Sequence, residues 1–330
     1  MDNLDLLNFF IFLIIALVVM NISFIFLKKY NWKDSDTSLK LNSNLPTITS
    51  LGISFLACFF LNISYLVFTS DITNLFPNRF YIFFISIFLL TLISFKDDKD
   101  DIDPKIRLIF QLILVYFSLT NLELHRLNLP LKLIIFFALV FWVYVINVTN
   151  FIDGSDGHCG IHVLFFMIGI LLISFLQKEY FFSTLLAFIL TPILLVYLIF
   201  FNKPPAKAFM GDTGSIFLGY IVGFIILERI LMKDFYIISL FLYPILDCTI
   251  ILVKKTIKGH YPWARLGDYF FLIPIKAGKY HKKVFNISFA FNFVNLFFFS
   301  MQIQYSKLFF VCNLILSISL IFYYKSYEKK

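Results

Sequence analysis

Charge is scarce in this chain. Charged residues make up 15% of the 330 positions, whereas 60% are hydrophobic and 46 are Phe. One soluble core cannot hide that much apolar surface, so the composition excludes a soluble globular enzyme. The four cysteines are scattered without C-x-x-C spacing, which argues against a disulfide framework or a zinc site. The net charge of +8 gives no reason to expect nucleic acid as a partner.

Long apolar runs recur along the whole chain, interrupted only by short polar connections. Each run has roughly the 17 to 21 residues that a helix needs to cross about 30 Å of hydrocarbon. The eleven runs are centred near Ile14, Leu61, Ile87, Leu114, Ala138, Ile168, Leu190, Tyr220, Pro244, Phe291 and Ile315. We therefore predict an all-α, polytopic integral membrane protein of about ten or eleven transmembrane helices, forming a single domain over residues 1–330.

The lysines and arginines are distributed unevenly between the two sides of these spans. With the N-terminus outside, three quarters of them fall on cytoplasmic segments. This bias predicts an N-out, C-in topology, and the positive charge itself indicates contact with the lipid bilayer. The first apolar run lacks a basic segment before it, so we expect a retained helix rather than a signal peptide.

A first acidic cluster, K-D-D-K-D-D-I over residues 96–102, follows the third apolar run. Asp97, Asp98 and Asp101 lie within about one helical turn and are followed by Lys105 and Arg107. Carboxylates this close repel one another unless a cation or a proton lies among them. The cluster is compatible with a divalent metal, with a carboxylate acting as a base, or with a solvated helix end.

A second polar run, N-V-T-N-F-I-D-G-S-D-G over residues 147–157, interrupts the apolar sequence. Asn147, Asn150, Asp153 and Asp156 recur at steps of three, so they would share a face on a helical path. Their amide and carboxylate groups suit a polar ligand at the membrane surface, although a plain turn explains the same letters. For His158 and His162, four residues apart, we favour packing over metal binding.

The third run, P-P-A-K-A-F-M-G-D-T-G-S over residues 204–215, carries one carboxylate, Asp212, before the eighth apolar run. Ser215 is a candidate cap for the following helix. A helix N-terminus after a Gly-rich bend suits phosphate, and Asp212 is compatible with that anion if Mg²⁺ lies between them. Farther along, Asp247 lies inside the ninth run, where it either faces a polar interior or pairs with Lys254 or Lys255.

These polar runs fall on the same side of the membrane in the topology derived from Lys and Arg alone. The coincidence predicts one cytoplasmic-face site for a metal and a phosphorylated, nucleotide-like ligand. The basic loop over residues 254–284 suits phosphate groups or lipid head groups.

The order and spelling of the motifs resemble the polyprenyl-phosphate N-acetylhexosamine-1-phosphate transferases of glycosyltransferase family 4. These are relatives of the phospho-N-acetylmuramoyl-pentapeptide transferase. The resemblance covers roughly residues 40 to 285 and includes Y-P-I-L-D and K-Y-H-K-K-V besides the three runs. It implies transfer of a sugar-1-phosphate from a UDP-sugar to polyprenyl (undecaprenyl) phosphate, with release of UMP. It also implies a bacterial cytoplasmic membrane, an active site on the cytoplasmic face and a role in cell-wall or O-antigen (lipopolysaccharide) synthesis.

The resemblance also implies residue roles. Catalytic residues are Asp97 and Asp98, and the ligands of Mg²⁺, or of Mn²⁺ as an alternative, are Asp212 and Asp153. Nucleotide and substrate contacts are implied for Asn147, Asn150, Gly154, Asp156, Phe209 and Lys207. The sugar and diphosphate loop would use Arg265, Asp268 and His281. A homodimer is compatible with this assignment.

The loop after Lys258 and Gly259 departs from the family pattern, because the histidine cluster expected there is missing and only His281 keeps its place. The missing cluster puts the usual N-acetylglucosamine specificity in doubt, with Arg265, Asp268 and Tyr269 as substitutes. The alternative hypothesis is a non-catalytic membrane protein, either a lipid-linked-sugar carrier or a degenerate transferase that binds nucleotide without turnover.

Overall fold

The computed structural model describes residues 5–32, 47–69, 80–126, 129–259, 261, 268–302 and 305–329. Within these ranges the chain is helical and contains no β-strand longer than an isolated bridge. The helices are α1 Leu6–Lys29, α2 Ile53–Thr69, α3 Phe80–Asp100, α4 Pro104–Ser118, α5 Leu131–Phe151, α6 His158–Gln177, α7 Phe182–Val196, α8 Gly211–Leu231, α9 Leu242–Ile257, α10 Ile273–Lys276, α11 His281–Met301 and α12 Ser306–Lys325. A π-helical turn, Tyr197–Asn202, continues α7.

Every predicted span centre lies in one of these helices, which confirms the all-α, polytopic fold class. In the described part of the chain, nine helical segments are long and apolar enough to cross a membrane. Helix α2 has 17 residues and reaches the lower end of that length, whereas α4 has 15 and falls short of it. Nine of the predicted apolar runs therefore meet the length and hydropathy expected of a membrane-crossing helix in the described part of the chain.

Helix α8 forms the centre of the bundle and packs mainly against α3 and α5. Its glycines permit this close approach: a Cβ at Gly219 would lie 2.8 Å from the Ile146 Cα atom of α5. Small residues at such contacts let membrane helices approach backbone to backbone. The Trp142 indole nitrogen donates to the Tyr220 carbonyl at 2.8 Å, and the Tyr220 hydroxyl donates to Ser118 at 2.6 Å. These bonds fix α8 relative to α5 and α4.

Helix α1 lies at the periphery, against α2 and α7. Its outward face exposes large apolar side chains, including Ile14, Val18 and Ile22. A soluble protein rarely leaves such a continuous apolar surface uncovered, so this face is suited to lipid. Exposure of apolar side chains at the periphery therefore supports membrane insertion independently of hydropathy.

A short backbone pairing holds the segment that precedes α8. Ile48 and Ala208 form a parallel bridge, in which the Phe209 amide donates to the Ile48 carbonyl at 2.8 Å. The Leu51 amide donates to the Phe209 carbonyl and the Gly52 amide to the Met210 carbonyl, both at 3.0 Å. The chain before α2 thereby fixes the position at which α8 begins.

Candidate functional site: a carboxylate cluster at the start of α8

The last turn of α3 directs its two adjacent carboxylates at different partners. The Asp97 side chain is 5% exposed, and its Oδ1 atom accepts from the Ile102 amide at 2.6 Å. Its Oδ2 atom accepts from the Arg107 guanidinium. Asp97 is therefore held by the turn between α3 and α4 and by the first helical turns of α4.

Asp98 caps the N-terminus of α8. Its Oδ1 atom accepts from the Asp212 amide at 2.8 Å, and its Oδ2 atom accepts from the Thr213 amide at 3.3 Å and the Thr213 hydroxyl at 2.5 Å. The first amides of a helix have no partner within the helix, and here a carboxylate from α3 accepts from them. Its negative charge also interacts favourably with the positive end of the helix dipole. Gly211 adopts φ +68°, and a side chain there would collide with the Asp98 carboxylate.

The prediction that Ser215 caps α8 is wrong. Its hydroxyl donates to the Gly211 carbonyl at 3.1 Å inside the helix. The residue that caps α8 is more than a hundred positions away in sequence, so local sequence could not identify it.

Arg107 joins the two sides of the cluster. Its Nη1 atom donates to Asp97 Oδ2 and to Asp212 Oδ2, forming an ion pair with each carboxylate. Arg107 lies five residues after the acidic run in the sequence, but its position there predicts no role for it. A planar guanidinium suits the bridging of carboxylates, so Arg107 supplies positive charge where repulsion between Asp97 and Asp212 would be strongest.

Helix α5 ends at Phe151, and the polar run continues as a non-helical loop over residues 152–157. The shared helical face therefore extends only over Asn147 and Asn150, whereas Asp153 and Asp156 lie in the loop. The Asn147 amide donates to Gln111 of α4 at 2.8 Å and to the Val143 carbonyl at 2.8 Å. Asn147 is thus used in helix packing.

Asp153 lies among the other carboxylates of the cluster. Burial and then the negative charges of Asp212, Asp98 and Asp156 raise the pKa of Asp153 well above its usual range. Among the described residues, no hydrogen-bond or ion-pair partner of its carboxylate is found. Like charges and burial both penalise the ionised form, so this position favours a proton or a bound cation.

Asp156 connects three segments around the loop. Its Oδ2 atom accepts from the Ala206 amide at 3.0 Å, and its Oδ1 atom lies 3.5 Å from His281 Nδ1 at the start of α11. The same His281 nitrogen lies 3.1 Å from the Ser155 hydroxyl. Burial raises the pKa of Asp156, although His281 and the Ala206 amide act in the opposite direction.

Asn202 was missed by sequence reasoning and ties the two polar loops together. Its Oδ1 atom accepts from the Gly157 amide at 2.8 Å, and its Nδ2 atom donates to the Ala208 carbonyl at 3.0 Å. It is 1% exposed at the end of the π-helical turn. The only sequence signal was a lone Asn at the end of an apolar run, before K-P-P.

The remaining residues predicted to contact the nucleotide or substrate differ in their exposure. Phe209 is held by the backbone pairing before α8 and is half-buried, whereas Lys207 is exposed. Gly154 faces Phe271 and Leu272, because a Cβ there would lie 3.3 Å from the Phe271 ring. Asn150 is half-buried at the end of α5.

Asp268 and Tyr269, which were expected in the sugar loop, do not join the cluster. Arg265 lies outside the described residues. The Asp268 carboxylate pairs with Lys276 at 3.3 Å and is 55% exposed. Tyr269 stacks on Phe151, with ring centroids 5.6 Å apart. Among the described residues expected in this loop, only His281 contacts a member of the cluster.

Asp247 faces a polar interior and anchors the segment after the loop. Its Oδ1 atom accepts from the Phe270 amide at 3.0 Å and its Oδ2 atom from the Tyr243 hydroxyl at 2.8 Å. Phe271 then stacks on His158, with ring centroids 4.2 Å apart. His162 stacks on Tyr243 at 5.3 Å, so both histidines pack as expected.

The donor chemistry of the cluster fits a hard divalent cation, since carboxylate oxygens are the ligands that Mg²⁺ prefers. Within the described residues, however, no three His, Cys, Asp or Glu side chains converge in the geometry of a metal site. Arg107 supplies the cationic group between Asp97 and Asp212 instead. Asp153 and Asp212 are the carboxylates best suited to a cation, because Asp153 has no partner among the described residues and Asp212 is 27% exposed.

The fold and this cluster define a class: a multi-pass helical membrane protein with an acidic site at the start of its central helix. Comparison with known proteins narrows the class. Residues 80–229, which contain α3 to α7, nearly all of α8 and all four aspartates of the cluster, match the model of glycosyl transferase family 4. This match covers a little under half of the chain and confirms the resemblance seen in the motifs.

Several relatives carry the name phospho-N-acetylmuramoyl-pentapeptide-transferase. The Thermotoga petrophila protein is 34% identical over 137 residues, which is 41% of this chain and 43% of the relative. The Thermotoga maritima protein is 31% identical over 186 residues, covering 52% and 59%. A Streptococcus pyogenes serotype M1 protein is 30% identical over 135 residues, covering 38% and 40%. The match thus spans about half the length of these relatives.

Proposed function

We propose that the protein transfers a sugar-1-phosphate from a UDP-sugar to a polyprenyl phosphate, giving polyprenyl-diphospho-sugar and UMP. The observation that carries this proposal is the convergence of Asp97, Asp98, Asp153 and Asp212 on the start of α8. These residues come from three motifs that are far apart in sequence. The proposed site faces the cytoplasm of a bacterial inner membrane, where UDP-sugars are available.

In the proposed reaction, an oxygen of the polyprenyl phosphate attacks the β-phosphorus of the UDP-sugar. The bond from that phosphorus to the bridging oxygen breaks, and its electrons leave on UMP. The Asp97 and Asp98 pair accepts the proton of the lipid phosphate. Because Asp98 also caps α8, it fixes the distance between this pair and Asp212.

Asp212 and Asp153 would hold Mg²⁺, or Mn²⁺ in its place. The ion, when bound, would neutralise the diphosphate and the charge that develops on the leaving UMP. Arg107 keeps the Asp97 and Asp212 carboxylates oriented before substrate arrives. Most of the rate acceleration in this account comes from positioning and electrostatics.

The nucleotide would lie along the loop over residues 152–157. Gly154 and Asp156 belong to this loop, and Asn150 precedes it. The segment that contains Lys207 and Phe209 is joined to the loop by the Ala206 amide, which donates to Asp156. The hydrogen bond from Asn202 to Gly157 fixes the spacing of the two segments. The structure of this loop supports a nucleotide site, whereas Asp268 contributes to a different surface.

A second candidate is a membrane protein that binds a UDP-sugar without turnover. The ion pairs of Arg107 with Asp97 and Asp212 favour it, because they use carboxylate oxygens that a metal would need. The two candidates make the same prediction for binding and opposite predictions for UMP.

The test measures UMP released by the purified full-length protein with undecaprenyl phosphate, Mg²⁺ and a panel of UDP-N-acetylhexosamines and their deoxy derivatives. We expect one sugar to give UMP, with loss in Asp97→Asn. Asp100→Asn is the matched control, since Asp100 belongs to the same acidic run but is exposed. UDP-sugar binding without UMP from any donor would favour the second candidate and overturn the enzymatic proposal.

A further inference from the structure

A second charged site lies at the end of α9, apart from the carboxylate cluster. It is a cavity of about 620 Å³ between the last turn of α9, the segment 268–277 and the C-terminal turn Ser326–Lys329. The charged residues that line it are Lys254, Lys255, Lys258, Lys276, Asp268 and Glu328. Four cations against two carboxylates leave it with net positive charge.

A layer of aromatic residues separates this cavity from the carboxylate cluster. Tyr269 is 7% exposed and stacks on Phe151 at the end of α5. Phe270 is 2% exposed, and its amide is held by Asp247. No side chain of the carboxylate cluster lines the cavity. The proposed transferase reaction therefore makes no use of these lysines.

The aromatic layer also positions the ammonium groups. Lys254 Nζ lies 4.7 Å from the centroid of the Phe270 ring, and Lys255 Nζ lies 5.3 Å from the centroid of the Tyr269 ring. Such cation–π contacts hold the two lysine side chains in place at the wall of the cavity. Asp268 compensates Lys276, so the excess charge is concentrated at the α9 side of the cavity.

The cavity lies where two candidate membrane spans end. These spans are Phe235–Ile257 and Ser306–Glu328. Val253 and Ile257, on the same last turns of α9 as the lysines, are 52% and 80% exposed. Apolar exposure next to a cationic cavity matches a molecule with an anionic head and an apolar tail, because the tail extends along α9 while the head reaches the lysines.

We propose that this cavity binds the phosphate head group of an anionic membrane lipid. The recognised chemistry is a phosphate monoanion, and the exposed apolar face of α9 identifies the membrane as its source. The inference does not rest on the proposed transferase activity.

The experiment uses the full-length protein in detergent and counts retained lipid by native mass spectrometry, during titration with phosphatidylglycerol or zwitterionic phosphatidylcholine. We expect preferential retention of phosphatidylglycerol. The double variant Lys254→Gln/Lys258→Gln should weaken binding by about fivefold per lysine removed. Lys28→Gln/Lys29→Gln removes the same charge from the exposed end of α1 and should leave binding unchanged.

A variant that binds the lipid more tightly provides a further control, because misfolding would weaken binding rather than strengthen it. Glu328→Gln removes a negative charge from the cavity, so it should tighten phosphatidylglycerol binding by about fivefold. Equal loss in both lysine double variants, or no preference between the two lipids, would overturn the proposal. Displacement of the lipid by glycerol 1-phosphate at similar concentration would identify a soluble phosphate as ligand and overturn the membrane source. Displacement by a UDP-sugar would assign the cavity to the nucleotide substrate instead.

Discussion

The two ends of α8 both carry buried charge, but they handle it in opposite ways. At the far end, Arg229 is 1% exposed, its Nε atom lies 3.4 Å from Asp234, and its guanidinium lies 5.0 Å from the Phe181 ring centroid. Glu228 accepts from the Ser183 amide at 2.9 Å. The Arg229–Asp234 contact is an ion pair without a hydrogen bond, since Arg229 Nε and Asp234 Oδ2 have no hydrogen-bond partner among the described residues. Opposite charges nevertheless face each other there, which is the pattern of a structural connection.

At the Asp212 end, four aspartates lie close together, and Arg107 contacts two of them. Arg107 compensates Asp97 and Asp212, Asp98 caps the helix, and Asp153 has no partner among the described residues. Buried charge that is left uncompensated lowers stability, so a protein that keeps it generally uses it. The two ends of α8 therefore differ in charge compensation rather than in burial alone: Arg229 and Asp234 face each other, whereas Asp153 at the proposed active end faces other carboxylates.

The largest expected effect is on catalysis at the Asp212 end. Asp212→Asn removes a charge required by the proposed Mg²⁺ site, so UMP release should fall by about a hundredfold to a thousandfold. The thermal unfolding midpoint should change little, because Asp212 is 27% exposed. Unchanged turnover with normal expression would show that the Asp212 end of α8 is not the active end.

The next effect is on stability at the other end. Arg229→Met leaves Asp234 without its buried partner, so the free energy of unfolding should fall by about 3 kcal/mol. Turnover per folded molecule should remain near that of the unmodified protein. Arg126→Met is the matched control, because the Arg126–Glu123 pair is exposed and such pairs contribute less than about 1 kcal/mol. Denaturation in detergent and UMP release measure the two quantities.

Arg107 should show both kinds of effect, with activity dominant. Arg107→Gln leaves Asp97 and Asp212 facing each other, so turnover should fall by about tenfold to a hundredfold. Arg107→Lys restores the charge but lacks the planar fork, so it should recover only part of the activity. Full activity in the Gln variant would show that Arg107 merely fills the place of a metal in the substrate-free protein.

The smallest effect concerns Asp153 and pH. Because its folded pKa is raised, its contribution to stability is complete below the usual Asp range and is lost as pH rises through the raised value. Near about pH 8 and without Mg²⁺, Asp153→Asn should therefore raise the free energy of unfolding by about 1 kcal/mol or less. In acid it should change the free energy of unfolding little.

Mg²⁺ provides the complementary measurement for the same residue. Added Mg²⁺ should stabilise the unmodified protein at the alkaline end of the range, where Asp153 is ionised, and much less in acid. It should not stabilise Asp153→Asn to the same extent. Identical Mg²⁺ responses of the two proteins would argue against Asp153 as a ligand.

Much of the fold followed from the sequence because lipid constrains it strongly. Apolar runs such as those of α5 and α8 must form helices in a bilayer, so the existence of these helices could be predicted. The polar motifs between the runs indicated the resemblance to glycosyl transferase family 4. The length of each helix was harder to predict. The apolar run around Leu114 forms a helix of only 15 residues, α4, which begins at Pro104 after the cap Asp103.

The site was predictable in its members but not in its connections. Asp98 capping α8, Arg107 bridging two carboxylates and Asn202 joining two loops are long-range contacts, and local sequence contains no signal for them. The prediction for Asp268 rested on its place in a family loop, whereas its pairing with Lys276 directs it to another cavity. Loop residues depend on tertiary anchors such as Asp247, which periodicity cannot reveal.

The most direct test of the central claim compares the two ends of one helix in one assay. Mg²⁺-dependent UMP release would be measured for the unmodified protein, for Asp212→Asn and for Asp234→Asn, each normalised to folded protein. We expect Asp212→Asn to lower release by about a hundredfold to a thousandfold and Asp234→Asn to retain it. Equal activity in the two variants, or release that does not depend on Mg²⁺, would contradict it.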